Sequence, residues 1–437
     1  MRDDMRDAIA SLDALEILDS RGNPTLKVFV ELQDGIRASA AVPSGASAGS
    51  NEAVELRDGD PGRYGGKGVR RAIANVRHVI GPELIGYPAS QQRELDNLLI
   101  EIDGTADKSL LGANAILGVS MAAARAAARA RQQPLYEYLA NTDAYRLPVP
   151  MMNVINGGAH ADSSLDFQEF MLVPHGAPGF ADAVRYGSEV FHALGALLKK
   201  LGHNASVGDE GGFAPRLRDN EEACELIVQA IQSAGFVPGE QVAIALDSAA
   251  SSFRSNAGYE LVKSNGGTKT SDELIDLYTV WSERYPVVSI EDGLGEDDWE
   301  GFCNLTARIG DQVQIVGDDI YTTNPKFIQQ GAKDRTTNAA LIKLNQIGTI
   351  TETIDAIQSC RKANWQFIIS HRSGDTEDTF IADFSVAMGG AQIKTGSVCR
   401  GERTAKYNRL LEVERELGAA ARFESPFEHS SWAFHHR

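Results

Sequence analysis

Six short apolar runs in the second half of the chain each stop at a charged or titratable side chain: IALD at Asp247, SIED at Glu291, IVGD at Asp318, ALIK at Lys343, FIISH at His371 and AQIK at Lys394. Successive positions are 44, 27, 25, 28 and 23 residues apart, and most of these spacings fit one strand, one helix and two short loops. That is the rhythm of a β/α barrel. The C-terminal ends of barrel strands converge on one mouth, so the pattern predicts a single site holding three carboxylates, two lysines and a histidine.

The first part of the chain is patterned differently. Residues 14–20, 26–32 and 38–42 read as three short strands separated by RGNP and QDG turns, and helical periodicity follows over 68–80, 90–102 and 114–130. Strands followed by helices predict a compact α+β domain. Pro148 and Pro150 interrupt the helical pattern, which divides the chain into an N-terminal α+β domain over 1–145 and a barrel domain over 146–437. The barrel opens irregularly. Its candidate strands VPMMNVIN and FMLVP are followed by a glycine-rich turn, VGDEGGFAP, that carries Asp209 and Glu210. Glu169 precedes its apolar run, so it reaches the mouth only if that strand runs opposite to the others. The fold class is therefore α/β, an α+β domain followed by a modified (β/α)8 barrel with an antiparallel second strand. Residues 406–417 read as an amphipathic helix, whereas the aromatic tail over 423–437 has no periodicity that places it.

Composition narrows the function classes. A chain of 437 residues exceeds the roughly 250 of an ordinary barrel, which agrees with a second domain. The alanine-rich stretch 119–130 carries Arg125 and Arg129 at helical spacing and reads as a tightly packed helix, not a membrane span. The N-terminus lacks the apolar core of a signal peptide, and a cytoplasmic location is expected. Cys224, Cys303, Cys360 and Cys399 form no C-x-x-C pair and read as reduced thiols. A formal net charge of −18 disfavours nucleic acid or a membrane surface as the main partner. A small anionic substrate remains open, because bound cations and local lysines reverse the field inside a site.

Three carboxylates from separate strand ends are oxygen ligands of the kind Mg²⁺ accepts, although any one of them could equally cap a helix or pair with an arginine. A lysine on a buried strand end, facing bound cations, has its ammonium form disfavoured and can act as a base. Abstraction of a proton next to a carboxylate requires metal ions to neutralise the developing charge. Taken singly, GDEGG is a common turn, His160 an ordinary core histidine and Arg372 a helix-end charge; their weight comes from occurring together.

The motifs DSRGNPT, PSGASAG, ELRDGD, LGANAILGVS, NGGAHA, QEFM, GDEGGFAP, SIEDGL, VGDD, LIKLNQIGT, SHRSGDTED, QIKTGS and AKYN stand in an order and spacing that resemble those of the enolase family, over about residues 14–418. The resemblance implies dehydration of 2-phosphoglycerate to phosphoenolpyruvate in glycolysis and gluconeogenesis. It implies two Mg²⁺ per site, the first held by Asp247, Glu291 and Asp318, the second arriving with substrate and completed by Ser47 of a lid loop. Lys343 is then the base and Glu210 the acid, with His160 and Glu169 supporting the acid's end. Lys394 would face the substrate carboxylate and Arg372 and Ser373 its phosphate, with His371 in the same loop. A homodimer or higher homo-oligomer is implied as well.

Several residues depart from the family's pattern. Ala48 replaces a threonine in the lid, Ser163 and Ser164 replace an asparagine pair, and Gly401 replaces a serine. The strand after GNPT carries Lys27 where the family has a glutamate, and the helix after AKYN carries Glu412 where it has the arginine that meets that glutamate across the dimer interface. A double reversal preserves attraction within a homodimer and sets like charges against each other in a mixed dimer. The alternatives are a specialised relative acting on an analogue such as phosphonopyruvate, and a non-catalytic binding protein on the same scaffold.

Overall fold

The computed structural model describes residues 7–45, 49–140 and 145–427. Ser47 and Ala48 lie outside these residues, as does the tail from 428 onward. Strands β1 (Ile9–Leu18), β2 (Pro24–Leu32) and β3 (Arg37–Ala41) form an antiparallel sheet in sequence order. The Asp19 carboxylate ends β1 by accepting the backbone N–H groups of Arg21 and Asn23 at 2.9 and 2.8 Å, which closes the turn of the DSRGN motif. Alternation along β2 buries Leu26, Val28, Val30 and Leu32 on one face and leaves Phe29 exposed on the other. The helix α1 (Gln92–Asp103) and the alanine-rich α2 (Ala113–Ala130) follow. In α2 the side chains are small because the sheet lies so near: a Cβ on Gly118 would stand 2.5 Å from Val28 Cγ2.

The second unit is a closed eight-stranded barrel. Its strands are β4 (Val149–Asn156), β5 (Glu169–Val173), β6 (Ala243–Asp247), β7 (Val287–Glu291), β8 (Gln314–Gly317), β9 (Ala339–Ile342), β10 (Gln366–Ser370) and β11 (Gln392–Lys394). All neighbours pair in parallel except β5, which is antiparallel to both β4 and β6. Its register sets Glu169 opposite Asn156 and opposite Asp247, so the first residue of the reversed strand lies level with the last residues of its neighbours. Two helices, α3 (Phe180–Lys200) and α4 (Asn220–Ser233), then lead to β6. The long spacing between Asp247 and Glu291 holds short strands over 254–269 ahead of helix α5 (Ser271–Arg284). Helices α6 (Trp299–Ile309), α7 (Pro325–Asp334), α8 (Ile350–Lys362) and α9 (Phe380–Ala387) separate the remaining strands, and α10 (Gly401–Leu417) starts five residues before its predicted beginning.

Part of the aromatic tail acquires a place. Phe427 is buried with Val149, Met151, Val173 and Ala243, and its ring meets His175 edge-on at 5.6 Å. Phe423 packs against Phe180. The described tail therefore covers the barrel end opposite the mouth. The N-terminal unit approaches the mouth itself: Ser44 exchanges backbone hydrogen bonds with Gly374 at 2.7 and 2.9 Å, and Arg125 forks onto Asp378 with two bonds of 2.6 Å.

Candidate active site

Every strand-end residue singled out in the sequence reaches the barrel mouth. Asp247, Glu291 and Lys394 are the last residues of β6, β7 and β11, while Asp318, Lys343 and His371 directly follow β8, β9 and β10. The cavity there is lined by Asp247, Asp318, Lys343, Lys394, His371 and Arg372, with His160, Glu169 and Glu210 across from them.

Two lysines organise the acids. The Lys394 ammonium donates to Asp247 Oδ2 and to both oxygens of Glu291 at 2.9 Å, and lies 3.3 Å from Glu169 Oε1. Burial opposes its charge, yet Asp247, Glu169 and Glu291 outweigh that effect and hold the lysine well above its ordinary pKa. Lys343 donates to Asp318 Oδ2, which also lifts it above its ordinary pKa against the effect of burial. This differs from the expectation that its ammonium is disfavoured. The reason is that the Asp318 carboxylate faces it directly. Asp318 is thus drawn to Lys343 and Gln346, while Asp247 and Glu291 gather on Lys394.

Across the mouth, His160 Nδ1 lies 3.6 Å from an oxygen of Glu169 and 3.6 Å from one of Glu210. Burial raises Glu169, reinforced by the Glu210 charge, whereas the surrounding imidazoles and Arg403 overcome burial and hold Glu210 well below the usual carboxylate range. The two acids are pushed in opposite directions, so Glu169 is the one that holds a proton more readily. That is the arrangement expected when like charges share a dry site. His371 is pushed down to about 4 by burial and is neutral.

The site fits a divalent cation on two grounds. Seven carboxyl groups, those of Glu169, Glu210, Asp247, Glu291, Asp292, Asp318 and Asp319, are gathered there against Lys343, Lys394 and Arg372 as the strongly basic groups of the lining among the described residues, and burial together with mutual repulsion raises Glu291 and Asp292 well above the ordinary range and Asp319 to about 7. Buried acceptor atoms also stand without hydrogen-bond partners among the described residues, including Glu169 Oε2, His160 Nδ1, Asn153 Oδ1 and Asn156 Oδ1.

Other residues near the mouth were not singled out in the sequence. Glu52 forks onto Arg372 at 2.9 and 3.1 Å and so ties the N-terminal unit to the loop after β10. Asp292 accepts the backbone N–H groups of Asp318 and Asp319, and Gln346 donates to Asp318 at 2.9 Å. Asp292, Asp319 and Gln346 fall inside the quoted motifs SIEDGL, VGDD and LIKLNQ, which was the available signal; Glu52 and Arg403 had none beyond their neighbours. Ser163 Oγ accepts the Leu165 N–H, and Ser164 Oγ donates to the Leu217 carbonyl. Gly401 has open space where a serine side chain would sit.

The profile described as "Enolase, C-terminal TIM barrel domain" matches residues 144–430, and "Enolase, N-terminal domain" matches residues 9–139. The chain belongs to the enolase family. It is 62% identical to "Enolase 1" of Methylococcus capsulatus over 419 residues, covering 96% of this chain and 100% of that protein. It is 58% identical to "Enolase" of Desulfotalea psychrophila, covering 95% and 99%. This enolase-family chain thus aligns with both relatives through both domains, with the barrel mouth inside the matched region.

Proposed function

We propose that the chain catalyses the reversible dehydration of 2-phosphoglycerate to phosphoenolpyruvate, acting in glycolysis and gluconeogenesis as a lyase. The observation that carries this reading is the opposition of two chemistries across one mouth: a lysine beside acids that suit a cation, and the carboxyl pair Glu169 and Glu210, each 3.6 Å from His160 Nδ1. Asp247, Glu291 and Asp318 would hold the first Mg²⁺, which when bound neutralises charge on the substrate carboxylate; the second would come with substrate and involve Ser47. Lys343 is the base that would remove the α-proton, and a cation held by Asp318 would relieve the carboxylate that otherwise favours its ammonium form. Glu210, with Glu169 and His160 gathered beside it, would donate a proton to the departing β-hydroxyl. Lys394 and the pair Arg372 and Ser373 would bind the substrate's carboxylate and phosphate ends, beside His371.

The near-full-length likeness to relatives named enolase favours 2-phosphoglycerate over phosphonopyruvate, and the presence of base, acid and ligand residues together disfavours a purely non-catalytic role. No helix among the described residues is long and apolar enough to cross a membrane; cytoplasmic activity is part of this proposal. So is a homodimer through the outer face of the N-terminal sheet, where Leu15 and Phe29 are exposed and Lys27 extends over the Phe29 ring. The decisive experiment follows phosphoenolpyruvate formation from 2-phosphoglycerate with and without Mg²⁺. Turnover that requires the metal is expected, and Lys343→Ala should lower it by about 10²- to 10⁴-fold with an unchanged circular dichroism spectrum. Near-normal turnover in that variant rejects the base assignment.

A further inference from the structure

Arg403 stands in the first turn of α10 and is fully buried. One guanidinium nitrogen donates to His371 Nδ1 at 2.6 Å and to the Arg372 carbonyl at 2.7 Å. The other donates to the carbonyls of Ser373 at 2.7 Å and Asp209 at 3.3 Å and to Ser20 Oγ at 3.4 Å. Glu402 at 3.3 Å and Asp375 at 3.8 Å face the charge. A guanidinium has only donors and stays protonated in proteins, so the ring nitrogen it meets must present a lone pair. The proton of the neutral imidazole is thereby placed on Nε2, and Nε2 lies 3.4 Å from Glu210 Oε2.

We propose that Arg403 is a positioning residue that locks His371 in its Nε2–H tautomer, so that the imidazole donates to one oxygen of Glu210. The other oxygen, Oε1, which faces His160, then exchanges the proton with substrate. Because Arg403 also grips carbonyls on the Glu210 turn and on the Arg372 loop, it sets the imidazole and the carboxylate to one distance. The inference rests on the roles proposed above for Lys343 and Glu210.

Two measurements test it. In the Mg²⁺-loaded wild-type protein, ¹⁵N NMR of labelled histidines, with the His371 signal assigned by its loss in His371→Gln, should report an unprotonated Nδ1 and a protonated Nε2 from neutral to alkaline pH. A ring protonated on Nδ1 overturns the proposal without recourse to any Arg403 variant. The second measurement compares, in Arg403→Lys and Arg403→Gln, the formation of phosphoenolpyruvate with the exchange of the α-hydrogen of 2-phosphoglycerate in D₂O. Elimination should fall by about 10²- to 10³-fold, while exchange, which needs only the lysine's end of the site, stays within about threefold of wild type. Equal loss of both in a folded variant shows that the guanidinium merely holds the loops, and rejects the tautomer role; if neither variant folds, the wild-type spectrum decides. Lys343→Ala serves as the reference. Exchange that survives in it defeats the underlying base assignment instead, so the two failures are told apart.

Discussion

Replacing Lys394 with methionine removes the one ammonium that Asp247, Glu291 and Glu169 share while keeping most of the side chain's volume. Each contact of about 3 Å is worth roughly 5–6 kcal/mol of gross Coulomb energy at an effective dielectric constant of about 20. Desolvation of the lysine and the acids offsets most of this, and breaking a buried ion pair from one side costs about 3–5 kcal/mol net because the partner charges are left uncompensated. For 437 residues, an unfolding entropy of roughly 2 cal/mol/K per residue converts that loss to about 3–6 °C in melting temperature. The assay is a thermal melt of metal-free protein at pH 8, repeated with Mg²⁺. In wild type the cation must displace the ammonium from Asp247 and Glu291, whereas in the variant those carboxylates are open to it. Magnesium should therefore raise the variant's melting temperature more than the wild type's and close part of the gap, a ligand at 100 times its dissociation constant contributing about 2.7 kcal/mol. A metal-free variant as stable as wild type, or one that gains no more from Mg²⁺, refutes the assignment of Lys394 as the counter-ion of the proposed metal ligands.

Asp96, wholly buried between the two domains, accepts the Thr351 N–H at 2.9 Å and is pushed up to about 6 by burial. A carboxyl raised from 3.8 contributes stability that is complete below about pH 4 and lost as pH climbs through 6, a swing of roughly 3 kcal/mol. Asp96→Asn should therefore gain relative to wild type between pH 5 and pH 8 in denaturation experiments, and a variant that loses ground over that range contradicts the reasoning. Gly118→Ala forces a methyl group to 2.5 Å from Val28 and should cost about 1–3 kcal/mol by chemical denaturation; an unchanged midpoint would mean that the sheet and α2 can move apart freely. Co-expression with an enolase carrying the usual glutamate and arginine at the positions of Lys27 and Glu412 should yield homodimers by native mass spectrometry, and abundant mixed dimers would defeat the exchanged-charge reading.

Much of the site was legible one residue at a time. Asp247, Glu291, Asp318, Lys343, His371 and Lys394 each end an apolar run, and parallel strands of a barrel leave no other place for their ends than a common mouth. Even the reversed strand was foreshadowed, because Glu169 stands before its run and only an antiparallel β5 brings it level with Asp247. Turn chemistry at Asp19 is likewise local, since neighbours along the chain determine it. The partnerships were different. That Lys394 holds two of the proposed metal ligands while Lys343 draws off the third depends on which side chains meet across the barrel, separated by up to 147 positions in the chain. Arg403 on the His371 ring, Glu52 on Arg372 and Phe427 under the barrel floor carry no periodic signal, because a single contact between distant segments leaves none. Periodicity along the chain determined the elements and the direction in which their chemistry points; only tertiary packing decided which charge faces which, since electrostatic energies depend on through-space distance and burial, and neither is written in the order of residues.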